Sequence, residues 1–197
     1  MQSKKMIDAV VCCVLTAAVA IASAIQCNAD DSTFKMVYEE PESTVTVPVR
    51  KTEAVYNVPL DHELQLFIIQ LCEEHHIDPA IVIAMIDSES EFDSDAIGDS
   101  GAAFGLMQVQ PKWHGERMDR LGVTDLLDPY QNVTVGIDYL AELIALDRGI
   151  EWALMCYNGG FNHANEHSRL GIVSEYASEV LGSIEKLTEG MIQIAYP

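Results

Sequence analysis

Hydrophobic positions take on the period of helices from Pro59 onward. Leu64, Phe67, Ile68, Leu71 and Cys72 recur at i, i+3, i+4, i+7 and i+8, one apolar helix face, with Asp61 placed to cap it. Asp78-Pro79 is a cap followed by proline at the first helical position, and it opens Ala80–Ile86, seven apolar residues in succession. A helix apolar all round belongs at the centre of a core. Asp128-Pro129 repeats the start signal ahead of a stripe formed by Val133, Ile137, Leu140 and Ile144. A short helix around Trp152–Cys156 is predicted to end at Asn158-Gly159-Gly160, and a last one carries Val173, Tyr176, Val180, Ile184 and Leu187. The pattern predicts an all-α, compact domain of six or seven helices over residues 60–187, with no strand-turn-strand signal and no internal repeat.

The first sixty residues follow other rules. Two lysines, Lys4 and Lys5, precede a run from Ala9 to Ile25 that contains no charge, and Ala22-Ser23-Ala24 forms a small-x-small site. Residues 1–27 therefore suit a cleaved signal peptide or a retained membrane anchor over residues 7–25, and both readings stand. Either one places the remainder outside the cytoplasm, because the lysines stay within. Ile25-Gln26-Cys27 is a poor lipoprotein site, with a large amide before the cysteine. Residues 28–59 read as an extended linker; Ser43–Val49 alternates like a strand, but Pro41, Pro48 and Pro59 interrupt it. Residues 188–197 read as a C-terminal tail.

Charge narrows the choice of partner. Across 197 residues, 11 Lys+Arg oppose 31 Asp+Glu, a formal net charge of −20. That stock builds no basic face, which excludes nucleic acid as partner and disfavours anionic lipid headgroups. A membrane enters only through the N-terminal segment. Of five cysteines, Cys12 and Cys13 lie in the apolar run; Cys72 and Cys156 fall on apolar faces, where a free buried thiol is the simpler reading than a disulfide.

Glu89 is the odd residue in this pattern. It continues the stripe Val82, Met85, Ile86 onto the last turn of the most apolar helix. Asp87 and Glu91 stand about 200° round the helix and face elsewhere. A carboxyl on a buried stripe loses hydration and holds its proton, as a general acid must. Taken alone, the position also suits a carboxylate turned to solvent at a helix end.

The neighbouring blocks add weight. Glu-Ser-x-Phe stands at 89–92, Gly-Leu-Met-Gln at 105–108, Asn132-Val-x-x-Gly136-x-x-Tyr139-Leu140 after it, then Tyr-Asn at 157–158 and Glu175-Tyr176. In order and spacing these blocks resemble the lytic transglycosylase family with the soluble-lytic-transglycosylase (SLT) domain, a relative of goose-type lysozyme. The resemblance spans about residues 62–182.

It implies a lysozyme-like helical fold, an enzyme that cleaves the β-1,4 bond between MurNAc and GlcNAc, and peptidoglycan glycan strands as partner. It implies that Glu89 is the single catalytic acid/base and that Tyr176 hydrogen-bonds its carboxyl. It also implies that Ser90, Met107, Gln108, Tyr157 and Asn158 line the sugar cleft. The substrate's own C6 hydroxyl would serve as nucleophile, giving 1,6-anhydro-MurNAc ends without a second carboxylate. Cys156 and Gly160-Phe161 depart from the family's usual alanine and Ala-Gly around Tyr-Asn, which bears on subsite preference. A hydrolytic muramidase and a catalytically idle wall-binding module are the alternatives. Wall turnover, a phage and a larger envelope-spanning machine all remain open as settings.

No cofactor is implied, and two metal-like patterns fail on their own terms. Asp93-x-Asp95-x-x-Gly98 opens like a calcium loop, but Phe104 occupies its twelfth position. His163-x-x-Glu166-His167 copies an inverted zinc-protease motif with only thirty residues after it, and reads as a solvated helix. His75-His76 closes a helix as a pair of cations against its dipole.

Overall fold

A computed structural model describes residues 52–195. The signal or anchor segment, the linker up to residue 51, and Cys12, Cys13 and Cys27 lie outside the described residues. Within them the chain is mostly helical, with six α-helices, and no helix is long and apolar enough to cross a membrane.

Helix α1 (His62–His75) starts where Asp61 accepts a hydrogen bond from the Glu63 N–H, and it ends at His76 in a left-handed conformation. It buries Leu64, Gln65, Ile68 and Cys72. Helix α2 (Pro79–Ser90) starts as its sequence predicts, with the Asp78 side chain accepting from the Ala80 N–H and Pro79 inside the first turn. Ala80 and Val82–Ile86 are buried, so α2 runs through the centre. Helix α4 (Pro129–Ile144) repeats the device, with Asp128 accepting from the Gln131 N–H. It buries Val133, Val135, Ile137, Leu140 and Leu143.

Helix α5 (Ile150–Leu170) buries Trp152–Cys156, then breaks its direction at Gly160, where φ is +76°. The predicted stop at 158–160 is therefore a kink, after which the chain resumes helical form as far as Leu170. Helix α6 (Glu175–Glu189), capped by Ser174, packs along α2 and against α5. Val173 falls ahead of it and is exposed.

Three features depart from the pattern. Helix α3 (Pro111–Leu121) has no fully buried residue; only Met118 and Leu121 of its short apolar face pack against the core. Strands β2 (Ile97–Gly98) and β3 (Ala103–Phe104) form a minimal hairpin around a 3-10 turn at Asp99–Gly101. Strand β1 (Thr52–Val55) pairs antiparallel with β4 (Ile192–Ala195), Val55 opposite Ile192. The fold is thus not all helix. It also extends beyond residues 60 and 187, because ordered structure from the linker's end meets ordered structure from the tail. Tyr56 fixes this junction: its N–H donates to Gln65 Oε1 at 2.8 Å, while Gln65 Nε2 donates to Leu60 O at 3.0 Å. Cys72 and Cys156 are both buried and free, as their apolar faces lead one to expect.

Candidate active site

The α2 helix ends abruptly just past Glu89. Glu91 and Phe92 both take left-handed backbone conformations, φ +51° and +66°. Neither is glycine, so two strained residues in succession turn the chain away and leave Glu89 on the final turn. Glu89 is half-buried, whereas Asp87, Ser88 and Glu91 are exposed. Burial pushes the Glu89 carboxyl above its ordinary value; the Tyr176 hydroxyl works in the opposite sense and more weakly. The carboxyl predicted from the stripe is the one that burial pushes above its ordinary value.

Helix α6 delivers Tyr176 to this carboxyl. Burial, then the negative charge of Glu89, holds its phenol far above the ordinary range, so it remains a neutral donor. In this conformation the hydroxyl is buried and no bond closes in full geometry. The two groups approach rather than lock. Tyr157, on α5, donates its hydroxyl to Met107 O at 3.0 Å. Burial raises its pKa well above the usual phenol value, and the charge of Glu89 adds to that. Glu89, Tyr157 and Tyr176 thus share one electrostatic neighbourhood, built by α2, α5 and α6.

The 105–108 segment forms the facing wall, and a buried asparagine holds it. Asn132, on α4, accepts from the Met107 N–H at 2.8 Å. Its amide donates to Phe104 O and Leu126 O, each at 2.8 Å. Gly105, at φ +67°, lets the backbone come this close; a Cβ there would meet Asn132 Nδ2 at 2.4 Å and Leu126 O at 2.5 Å. Gln108, also left-handed at φ +46°, donates from Nε2 to Gly105 O at 2.9 Å and reaches Ala96 O at 3.3 Å. It ties the hairpin loop to the wall.

Two residues expected to line the cleft do other work with their side chains. Met107 is fully buried, against Gly136, whose added Cβ would lie 2.4 Å from the Met107 sulfur. Its side chain faces the core, so only its backbone serves the wall. The Ser90 hydroxyl lies 2.9 Å from Leu106 O and 3.1 Å from Ile86 O. With one proton to give, it seams α2 to the wall. Gln108 is half-buried and Asn158 is exposed, so both have atoms at the surface.

Sequence reasoning did not assign roles to Asn132, Tyr139, His114 or Arg117. The Tyr139 ring lies 5.3 Å from Tyr157 and 4.5 Å from His114, making a line of rings from α5 across α4 to α3. Arg117 sits over Tyr139 at 5.1 Å and pairs with Asp138 and, at 2.5 Å, with Glu142. Arg120 reaches Asp138 at 2.7 Å. Burial alone would raise the Asp138 pKa, but the bonds and charges of the two arginines bring it below the ordinary carboxylate value. These ion pairs clamp α3 to α4. The signal that existed was the block from Asn132 to Leu140, which marks positions without saying what they touch.

The loop acids take no part in this cluster. Asp93, Asp95 and Asp99 are exposed; Asp93 accepts from the Asp95 N–H at 2.9 Å and Asp99 from Gln110 Nε2 at 3.1 Å. His163 and His167 stack with ring centroids 4.0 Å apart, and no three His, Cys, Asp or Glu side chains among the described residues group as metal ligands. A groove of about 920 Å³ between α1, β1 and the start of α4, lined by Tyr56, Phe67, Tyr130 and Met191, does not include Glu89.

Comparison with known proteins places the chain in a family. A transglycosylase of Enterobacteria phage PRD1 is 31% identical over 114 residues, 58% of this chain and 40% of the relative. The membrane-bound lytic murein transglycosylase F of Desulfosudis oleivorans is 33% identical over 110 residues, 52% of this chain and 23% of the relative. Lysozyme g of Casuarius casuarius is 29% identical over 118 residues, 53% of this chain and 62% of the relative. The chain therefore spans less than two thirds of each of these relatives. An inactive mutant of the lytic transglycosylase Slt from Pseudomonas aeruginosa shares the fold, with a TM-score of 0.56 at 21% identity, covering 66% of this chain and 24% of that one. Residues 67–171 match the Transglycosylase SLT domain, more than half of the chain, and the protein belongs to that family.

Proposed function

We propose that this protein is a peptidoglycan lytic transglycosylase with Glu89 as its single acid/base. The observation that carries this is the state of Glu89: a half-buried carboxyl, pushed toward its protonated form, on the last turn of the central helix. A protonated carboxyl at neutral pH can donate to a glycosidic oxygen. As that oxygen takes the proton, the bond from the muramoyl C1 to it breaks. The C6 hydroxyl of the same ring then bonds to C1 and returns its proton to Glu89. Two carboxylates are needed only when water or an enzyme nucleophile attacks C1.

Tyr176, a neutral donor beside Glu89, would steady the carboxylate between these steps, its hydrogen bond closing when substrate fills the cleft. Gln108 and Asn158 would contact sugar, with Tyr157 lining the cleft beside them. Met107 and Ser90 would contribute through backbone and seam rather than by touching the glycan. The reading places the domain outside the cytoplasm, where peptidoglycan lies, secreted or tethered by its N-terminal segment. The presence of Glu89 speaks against an idle wall-binding module.

Digesting purified cell walls and weighing the muropeptides tests this. We expect 1,6-anhydro-MurNAc ends, one water lighter than reducing ends and inert to borohydride. Reducing MurNAc as the main product would make the enzyme a muramidase. Binding without cleavage would make it a binder.

A further inference from the structure

We propose that Trp113 and Lys112, at the start of α3, form an outer subsite that takes a pyranose ring together with an anionic group of its attached peptide. The inference rests on the reading of the substrate as peptidoglycan. Trp113 is 70% exposed, the most exposed of the large hydrophobic side chains among the described residues. A single exposed apolar residue needs no explanation. Three further observations give this one a use.

The first is position. His114, the next residue, turns inward against Tyr139, which in turn meets Tyr157 beside Glu89. Adjacent helix residues point about 100° apart. His114 is therefore the last ring of that line, two ring contacts beyond Tyr157, and Trp113 leaves the same first turn of α3 on an adjoining, solvent-exposed face. Helix α3 also starts directly after Gln108-Val109-Gln110, and Gln110 is bonded to Asp99 of the hairpin loop. In this proposal the glycan leaves the catalytic carboxyl along the 105–108 wall and continues onto the start of α3, where Trp113 is exposed.

The second is the shape of the pair. Lys112 Nζ lies 4.6 Å from the Trp113 ring centroid, so the ammonium covers one face. At 70% exposure the indole keeps open surface for the C–H face of a pyranose, which stacks on it as an apolar surface.

The third is charge. Only six Lys or Arg lie between residues 52 and 195, and three of them are on α3: Lys112, Arg117 and Arg120. Arg117 and Arg120 are bound to Asp138 and Glu142, whereas Lys112 makes no ion pair among the described residues. On a chain of net charge −20, an anionic substrate meets repulsion almost everywhere. Lys112 supplies a cation at the point where the muramoyl ring's peptide carboxylates would pass.

Fluorescence tests the proposal selectively, because the sequence has two tryptophans and Trp152 is only 3% exposed. Full-length Glu89→Gln protein, which should not consume its ligand, is titrated with soluble glycan strands bearing stem peptides and with strands stripped of them. Co-sedimentation with insoluble wall measures saturation independently. We expect both strands to shift Trp113 emission to the blue and to shield it from acrylamide. Trp113→Ala should weaken binding about tenfold, the effect of losing a well-seated aromatic anchor, and Trp113→Phe should restore part of it. Lys112→Ala should weaken binding of peptide-bearing strands only.

Unchanged emission at saturation, or wild-type affinity in Trp113→Ala, overturns the subsite. Equal loss on both strands in Lys112→Ala overturns the peptide contact. Failure of the transglycosylase reading looks different: wild-type protein would bind wall and shift Trp113 emission yet release no muropeptide.

Discussion

If Glu89 is the acid/base, as proposed, its environment sets how activity depends on pH, and it sets the pH dependence of stability in any case. Gln at this position keeps the shape and loses the proton, so Glu89→Gln should lower wall cleavage on the order of 10²–10⁴-fold. Wild-type cleavage should itself decline as pH rises through the raised folded-state value, because the donor form disappears. The same shift has a consequence for folding. A carboxyl whose folded pKa lies above its unfolded one is fully accommodated below the ordinary carboxylate range, and that stability is lost as pH rises through the folded value. Wild type and Glu89→Gln should therefore melt together in acid, with the wild type falling behind at neutral pH. A constant gap across the range would mean that burial does not govern this carboxyl. Glu89 was legible in the sequence because it interrupts an apolar stripe with a charge. Asn132 was not, since a polar residue on a stripe can equally face water; only the tertiary approach of Phe104, Met107 and Leu126 gives it three partners at once.

At the scale of elements, the site depends on how the 105–108 wall and α3 are held. Gly105 is the narrowest point of the wall. Gly105→Ala would place a methyl group among Asn132 and the Leu126 carbonyl at a left-handed position. The expected loss is about 3 kcal/mol or more in denaturant melts, from strain and displaced hydrogen bonds together. Wild-type stability in this variant would show that the wall is looser than its hydrogen bonds suggest. Helix α3 is held by Arg117, Arg120 and the His114–Tyr139 contact. Burial, then the Arg117 charge, lowers the His114 pKa, with Glu142 opposing them. A depressed histidine contributes stability that is present above its ordinary value and lost as pH falls through the folded one. His114→Phe should remove that acid sensitivity, seen as a flatter pH dependence of the melting temperature below neutrality. An unchanged profile would assign the sensitivity to other groups. Cap signals at Asp61, Asp78 and Asp128 made the starts of α1, α2 and α4 readable, because a cap is a local device. Helix α3 escaped since only Met118 and Leu121 meet the core, while Arg117 and His114 hold it to α4 through an ion pair and a ring contact.

For the whole molecule, the helical core encloses α2 while a pair of short strands joins the two ends of the described chain. No local signal announces such a pair: β1 and β4 have four residues each and are separated by every helix of the domain. Strand β1 leads straight into Tyr56, whose N–H is held by buried Gln65 on α1, and Val55 is fully enclosed. Met191, between α6 and β4, packs against the core and lines the same groove as Tyr56. Without β4 the β1 backbone would lose its ladder, while Tyr56 and Gln65 would still hold its end. A chain stopped after Met191 should therefore fold, with a melting temperature lower by roughly 5 °C, as expected for a loss of one to two kcal/mol in a domain of this size. Wall cleavage at 25 °C should survive, because Glu89, Tyr157 and Tyr176 are positioned by α2, α5 and α6 and owe nothing to the strands. An unchanged melting temperature would make the strand pair peripheral. Loss of cleavage with the fold retained would instead show that the clasp reaches the site through α6, whose end it continues and whose start carries Tyr176.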